Sequence, residues 1–367
     1  MNRITAATAA LLATTGLAQA DISRTDQSMR VLFEEVGPTR QYAELSFGTV
    51  RPTAGTSNAR VAYNPLRDYT LPGLAYLARV NDTLSFAVIY DTPFGADVGY
   101  QTGVPFFGGN ASVDSDALTV IGRYEFGNGF SVHAGIRALE ASGSIYTNVS
   151  GNLYHQLNAT SDTGLGYLVG AAYEMPEIAL RVALTYHSAI DLDFTGTEQS
   201  FNPQTGAAVG AVTPSAFSIE LPDSLNLEFQ TGIAEDTLLF GSIRHQWWDG
   251  FNLTTPVGRY VNFTSDSTTY QLGVGRRFTE NWSGSFSYQH RTSGTTPSDT
   301  ALSPTTGFDT ITLAGRYDRN NITVSAGVTY GFPGDQIVNT AAATGVGPLN
   351  FNDNEILAVG LRVGFRF

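Results

Sequence analysis

The 367-residue sequence contains no cysteine, so its histidines are the first candidates for catalysis or metal binding. Without Cys there is no thiolate nucleophile, no disulfide framework and no Cys-ligated metal site. A membrane phospholipase or protease needs Ser, His and an orienting Asn or Asp close together. The five histidines instead lie on five separate segments without such neighbours: His133, His155, His187, His245 and His290. The sequence therefore predicts a protein that is not an enzyme.

Acidic runs are the remaining candidates for a metal site. Asp191-Leu192-Asp193 and the run 352–355 supply hard oxygen ligands that suit Ca²⁺. Neither run has EF-hand spacing, and solvated charges in loops or at strand ends explain both. Walker A, HExxH and dinucleotide-binding patterns are also missing. We expect no catalytic site, no metal and no cofactor.

The charge balance narrows the class of partner. All 20 basic residues are arginines, and they face 33 acidic residues, which gives a net charge of −13. This balance argues against a nucleic-acid-binding protein. Charged residues make up 14% of the chain, against roughly 25% in ordinary soluble domains. We therefore expect much of the surface to contact something other than water.

The N-terminus has the pattern of an export signal. A basic start at Arg3 leads into an apolar segment over residues 6–17 and then Ala18-Gln19-Ala20, which is a small-residue cleavage site. The alternative is a buried or amphipathic helix. No stretch reaches the ~18 to 20 apolar residues that a spanning helix needs. We predict a signal peptide over residues 1–20.

The elements that position any site are strands. Large apolar side chains alternate with small or polar ones, as in residues 84–90 and 322–330, and this period of two is typical of half-buried strands. Fourteen strands are predicted, at 41–51, 70–80, 83–100, 115–126, 129–146, 164–175, 177–194, 221–234, 236–253, 268–279, 281–292, 307–318, 321–332 and 354–367.

The connections alternate between tight turns and long polar loops. A β-barrel in an outer membrane has this asymmetry, with short periplasmic turns and long external loops. The sequence predicts an all-β fold, a 14-stranded antiparallel transmembrane β-barrel over residues 41–367, with a short N-terminal hatch over residues 21–40. The alternative is a secreted soluble β-protein. Strand parity places the following side chains inside: Arg123, His133, Arg137, Arg181, His187, Arg244, Arg316, Arg362 and Arg366.

Several short runs resemble the long-chain fatty-acid transporter family of outer-membrane proteins, the FadL type. The resemblance covers essentially the whole mature chain, although its hatch is shorter and lacks the family's Asn-Pro-Ala motif. The runs are Phe33-Glu34-Glu35 with residues 42–48, Leu84-Ser85-Phe86 with Thr92-Pro93-Phe94-Gly95 and Tyr100, Tyr173-Glu174 with residues 183–188 and Asp193-Phe194, Leu221-Pro222-Asp223-Ser224, and Trp247-Trp248.

The resemblance implies a hatch inside the barrel and a third strand that kinks inward to open the wall. The kink maps to Pro93, Phe94 and Gly95. Pro cannot donate to a strand ladder and Gly within a strand marks a bulge or bend, so pairing is interrupted here whatever the ancestry. The alternative is a strand that ends near Asp91, with Pro93 starting the loop.

Ligand-binding candidates follow from the same comparison. Inward Arg137 lies near the region where the family places a carboxylate-binding basic residue, and Arg can bind a carboxylate bidentately. Pairing with Glu140 or Glu125 is the structural alternative. Phe106 and Phe107 form an apolar patch in one predicted loop. Phe201 and Phe217, with Val209 and Val212, form another. These patches either dock a ligand or pack the loops together.

The resemblance implies passive uptake of long-chain fatty acids, or of aromatic hydrocarbons, by loop capture and lateral exit through the wall. The alternatives are a general diffusion porin and an adhesin or structural barrel recognised through its loops. The expected partners are hydrophobic small molecules, outer-membrane lipid and the barrel assembly machinery, through C-terminal Phe367. We expect a monomer in a Gram-negative outer membrane with both termini in the periplasm.

Overall fold

The structure is a computed structural model that describes residues 22–57, 63–100, 109–150, 153–202, 205–298, 300–339 and 347–367. The predicted signal peptide therefore lies outside the described residues. The strand segments are β1 Gln41–Thr56, β2 Tyr69–Arg79, β3 Leu84–Asp91, β4 Gly95–Gly99, β5 Asn110–Glu125, β6 Phe130–Ser150, β7 Leu153–Met175, β8 Leu180–His187, β9 Ile190–Phe201, β10 Ala208–Leu221, β11 Ser224–Ala234, β12 Thr237–Gln246, β13 Asn252–Thr254, β14 Arg259–Asn262, β15 Ser267–Arg277, β16 Trp282–Arg291, β17 Thr306–Arg319, β18 Ile322–Gly334, β19 Gln336–Val338 and β20 Leu349–Arg366.

Within the described residues these segments form a closed barrel of fourteen antiparallel strands, which confirms the predicted fold class. Four barrel strands consist of two segments each: β3 with β4, β8 with β9, β10 with β11, and β18 with β19. The barrel closes where β1 pairs with β20, from Tyr42 opposite Arg366 onward. β13 and β14 form a separate hairpin between β12 and β15. Among the described residues, no helix is long and apolar enough to cross a membrane.

The two faces of the wall have the predicted polarity. Ile136 on β6 is 64% exposed, whereas its neighbour Arg137 is 4% exposed. Leu118, Leu184 and Leu313 are likewise exposed on the outer face. An apolar outer face and a polar interior are what a membrane barrel requires.

Two predicted loops are strands in the structure. Residues 147–163 belong mostly to β6 and β7, and residues 195–220 belong mostly to β9 and β10. These stretches are rich in Thr, Ser and Gly, so their hydrophobic alternation is weak. Their ladders hold them in register nonetheless, with Tyr154 opposite Phe201 and Phe217 opposite Phe194.

The inner segment is defined as residues 22–40, the described part of the stretch for which a short hatch is predicted. Residues 23, 24, 27 and 29–32 of this segment are buried inside the barrel. It includes a short 3-10 helix, Arg30–Phe33. Leu32 is fully buried and belongs to an apolar cluster with inward Leu77 and Ile121. The ring of Phe33 lies between the guanidinium groups of Arg123 and Arg181, 4.4 and 4.6 Å from its centroid.

The end of the inner segment is joined to the last residue of the chain. The amide of Thr39 donates to the Phe367 carbonyl at 2.8 Å, and the Phe367 amide donates to Gln41 at 2.9 Å. A Cβ on Gly37 would overlap the Phe367 backbone. The junction of first and last strands therefore depends on a glycine at position 37.

Gly37→Ala should lower the free energy of unfolding by about 1–3 kcal/mol, the usual cost of forcing extra atoms into a packed site. The measurement is the urea midpoint of the detergent-refolded barrel, followed by loss of β-sheet circular dichroism. Gly347→Ala is the control, because a Cβ there meets nothing within 4 Å. Equal midpoints for the two variants would contradict the tight junction.

Candidate functional site

The third barrel strand is interrupted at the residues proposed as a kink. β3 ends at Asp91 and β4 begins at Gly95, with Thr92, Pro93 and Phe94 between them. Both segments continue to pair with β5. The break therefore lies on the side of this strand that faces β2.

The backbone at the break is bonded by the inner segment. The amide of Arg24 donates to the Pro93 carbonyl at 2.7 Å, and the amide of Gly95 donates to the Ile22 carbonyl at 2.9 Å. On the other side, the hydroxyl of Ser115 accepts from the Phe94 amide at 2.9 Å and donates to its carbonyl at 2.8 Å. The break thus retains backbone partners that a regular ladder would otherwise supply.

Arg24 holds the inner segment against the break through its side chain. Its Nη2 donates to Asp97 on β4 at 2.8 Å, and its guanidinium lies 4.6 Å above the Tyr69 ring. A Cβ on Gly95 would overlap this guanidinium. Gly95 therefore leaves the space that the Arg24 guanidinium occupies.

β2 supplies the opposite edge of an opening in the wall. Its described register with β3 starts only at Leu74 opposite Tyr90, whereas its register with β1 continues to Tyr69. Pro72 and Gly73 lie in this stretch of β2, which pairs with β1 on one side and has no described pairing with β3 on the other. Proline inside a strand is confined to edges and bulges, so Pro72 was the signal for this edge that the sequence analysis missed.

A cavity of about 150 Å³ occupies the opening. Its lining includes Phe47, Leu74 and Leu361, which face outward with exposures of 54, 45 and 48%. It also includes inward Arg137 and Gln27 of the inner segment. The cavity therefore extends from the lipid-facing surface to the barrel interior.

Arg137 is buried and bound to uncharged groups. Its Nε donates to Thr119 Oγ1 at 2.9 Å, and its Nη1 donates to Gln27 Oε1. The acids considered as its partners lie elsewhere: Glu140 is exposed on the outer face, and Glu125 lies 3.3 Å from Arg123. Arg137 therefore remains a candidate for binding a ligand.

An aromatic cluster fills the barrel toward its long-loop end. Phe94 packs edge-on against Trp248 with ring centroids 5.9 Å apart, and Trp248 packs edge-on against Phe263 at 5.3 Å. Phe217 stacks on Phe194 at 5.2 Å within the same apolar cluster. Trp248 is fully buried, which the sequence analysis did not anticipate.

The other predicted ligand contacts are not part of this cluster. Phe201 packs edge-on against Tyr146, with centroids 5.7 Å apart. Val209 and Val212 are 41% and 58% exposed. Phe106 and Phe107 lie outside the described residues. Among the described residues of the predicted aromatic patches, only Phe217 belongs to the buried cluster.

The hairpin of β13 and β14 covers the cluster and is fixed by buried Glu198. The carboxylate Oε1 of Glu198 accepts from Thr255 Oγ1 at 2.6 Å and from Tyr260 Oη at 2.9 Å. Burial and the Glu198 carboxylate raise the pKa of Tyr260. Its hydroxyl therefore stays protonated and remains a donor at neutral pH.

No group of three or more His, Asp or Glu residues that could hold a metal ion occurs in the described part of the chain. The acidic run Asp191-Leu192-Asp193 lies on β9, where the amide of Asp193 donates to Asp162 at 2.7 Å and its carboxylate accepts from Ser218 at 2.5 Å. These bonds stabilise neighbouring strands.

Comparisons with known proteins agree with this geometry. Residues 4–367 match the model of the family described as outer membrane protein transport protein (OMPP1/FadL/TodX). Outer membrane protein P1 of Haemophilus influenzae is 24% identical over 230 residues, covering 53% of this chain and 48% of that protein. The chain thus spans about half the length of the curated relatives it matches.

Solved structures share the fold of this chain. A Pseudomonas aeruginosa FadL homologue has a TM-score of 0.74 at 14% identity, covering 89% of this chain and 90% of that chain. The Pseudomonas putida toluene transporter TodX has a TM-score of 0.68 at 13% identity, covering 97% and 100%.

Arg24→Ala should loosen the attachment of the inner segment to the break. Loss of its hydrogen bond to the charged, half-buried Asp97 should speed amide exchange at Gly95 by about 10- to 100-fold, measured by hydrogen–deuterium exchange and mass spectrometry. Arg40→Ala is the control, since its ion pair with Asp82 is exposed and such pairs contribute little. Unchanged exchange in Arg24→Ala would show that the backbone bonds hold the break without it.

Proposed function

Since the chain belongs to the outer membrane protein transport family (OMPP1/FadL/TodX), we propose that it takes up hydrophobic compounds passively across the outer membrane. Long-chain fatty acids and aromatic hydrocarbons are the proposed substrates. Solved neighbours of this fold include a toluene transporter and a monoaromatic hydrocarbon channel. Their substrates are a guide to the chemical class only.

The opening between β2 and the third barrel strand is the observation that carries this proposal. Its cavity is bounded by apolar side chains that face lipid, including Phe47 and Leu361. An apolar molecule that leaves sideways avoids transfer into water, which costs about 0.8 kcal/mol per CH₂ group. An opening in the wall serves such a molecule better than an aqueous pore.

The proposed path begins at the long-loop end. Exposed Val209 and Val212 offer an apolar surface for capture, and the cluster around Trp248 forms the first buried site. Phe94 separates this cluster from a small cavity beside Arg137, His187 and Arg244. A fatty-acid carboxylate would bind Arg137 at this level, and the chain would leave through the opening.

The contents of the barrel favour this path over general diffusion. Arg30 of the inner segment binds Glu44 of β1 at 2.5 and 2.7 Å, and Arg123 of β5 donates to the Leu32 carbonyl at 3.1 Å. Burial lowers the pKa of Arg30, whereas the neighbouring carboxylates of Glu44 and Glu34 raise it, and the net result is a raised pKa. The inner segment is thus held across the interior by charged bonds.

We further propose that the short-turn end faces the periplasm, with both termini there, and that the protein is a monomer. The junction of Thr39 with Phe367 lies at this end and supports the placement of the C-terminus, with the inner segment entering the barrel beside it. Phe367 is 48% exposed, which leaves its ring available to the barrel assembly machinery.

Gly73→Phe should block the opening, because a side chain there points at Ser46, another residue of the cavity lining. Uptake of labelled oleate and toluene by cells that lack their own transporter should fall to the level of cells without the protein. Gly315→Phe on β17 is the control, since a Cβ there meets nothing within 4 Å, and it should keep the parent rate.

If Gly73→Phe, at equal surface expression, takes up oleate and toluene at the parent rate, lateral exit is contradicted. The proposal that the protein takes up hydrophobic compounds would still stand. Planar bilayer recordings test the wider proposal, because the parent protein should be nearly silent. A large, steady ion current would indicate a general diffusion porin.

A further inference from the structure

The hairpin of β13 and β14 lies over the aromatic cluster as a separate unit. Its two strands pair with each other, and among the described residues neither of them pairs with a barrel strand. Leu253 and Val261 of the hairpin pack against the cluster, whereas Asn252 and Thr254 are exposed. The hairpin therefore has an apolar underside and a polar outer surface.

The hairpin covers the first buried site of the proposed path. Trp248 has no exposed surface. Its ring packs against Phe251 and Phe263, which lie at the two ends of the hairpin, with centroids 5.2 and 5.3 Å away. The rings of Phe251 and Phe263 stack on each other at 5.2 Å. A ligand that arrives from the long-loop end can therefore contact Trp248 only after this cover moves.

The hairpin is fastened to the barrel by a polar contact, which we call the latch. Glu198 of β9 is 3% exposed, and its Oε1 accepts from Thr255 Oγ1 and from Tyr260 Oη. A carboxylate and two hydroxyls that become exposed bond to water instead, so the net contribution of such hydrogen bonds to stability is modest. The latch can therefore break and form again reversibly.

The stem of the hairpin contains a glycine that is suited to a hinge. Gly250 has a φ of 89°, and a Cβ on it would meet nothing within 4 Å. Hinges are a few loop or element-terminal residues that absorb changes in φ and ψ. The amide of neighbouring Asp249 donates to Asp266 Oδ1 at 3.0 Å, which joins the two ends of the stem. The hairpin can thus turn at its base without separating its strands.

We propose that the hairpin of β13 and β14 is a lid over the aromatic cluster, which turns at Gly250 and is held shut by the Glu198 latch. When the lid opens, the Thr255 and Tyr260 hydroxyls exchange the carboxylate for water, and an apolar ligand reaches the cluster. This inference rests on the proposed uptake function and adds a gated entry step to it. Glu198 acts through the hairpin, so it is a positioning residue.

The absence of cysteine from the sequence allows a specific cross-link to test the lid. A Cβ on Gly258, at the tip of the hairpin, would lie 3.9 Å from the Cβ of Val149 on β6, which is within the range of a disulfide. In Val149→Cys/Gly258→Cys, oxidation should reduce uptake of labelled oleate and toluene to the level of cells without the protein. Dithiothreitol should restore uptake. Val149→Ser/Gly258→Ser has side chains of similar size without a thiol, so its uptake should not respond to dithiothreitol.

Equal uptake by the oxidised and reduced forms would overturn the lid, provided that the oxidised form no longer reacts with maleimide and is therefore cross-linked. The proposed function would stand in that case, because ligand would still enter the cells. Loss of oleate and toluene uptake in the parent protein would instead refute the proposed function.

A second measurement depends neither on uptake nor on the cross-link. Thr255 is buried, so iodoacetamide should reach the thiol of Thr255→Cys only when the lid is open. Adding Tyr260→Phe removes the second latch donor and should speed this reaction about tenfold, as expected for one lost hydrogen bond to a charged group. The control is Thr312→Cys, at a buried threonine of β17, whose reaction rate should not respond to Tyr260→Phe. An unchanged rate for Thr255→Cys on adding Tyr260→Phe would overturn the latch.

Discussion

Every backbone amide and carbonyl inside a membrane needs a hydrogen-bond partner within the protein, and this requirement shapes the whole molecule. The pairing of β1 with β20 meets it for the wall as a whole. The break after Asp91 meets it through Ile22, Arg24 and the Ser115 hydroxyl. The wall can open at this point because a second part of the chain bonds its interrupted edge. The inner segment therefore completes the hydrogen bonding of the wall and also fills part of the barrel interior.

The interior is divided into two environments by this arrangement. Toward the short-turn end, charged bonds join the inner segment to the wall: Arg30 of the inner segment binds Glu44 of β1, and Arg123 of β5 donates to the Leu32 carbonyl. Toward the other end, Trp248 and Phe217 lie in an apolar cluster. Phe94 stands at the boundary, with its ring on Trp248 and its backbone bonded to the Ser115 hydroxyl. Arginine suits the charged half because one guanidinium binds several acceptors at once.

The sequence predicts the barrel and its polarity well, since a period of two fixes which side chains face lipid and which, such as Arg137, face inward. Local rules also locate the interruption at Pro93. The opposite edge at Pro72 was open to the same rule and was overlooked. Contacts such as Arg24 with Asp97 join residues far apart in sequence, so no local pattern encodes them. The same holds for Trp248, whose burial depends on a hairpin folding back over the barrel mouth.

The position of the inner segment constrains how the molecule is built. The first and last strands pair across nearly the whole length of the chain, with Tyr42 opposite Arg366, and such long-range pairing forms slowly. Residues 22–24 reach deep into the lumen to bond the break. The closed cylinder thus encloses part of its own polypeptide as a tether, which is fastened at one end to the last strand through Thr39 and at the other end to the wall break through Arg24.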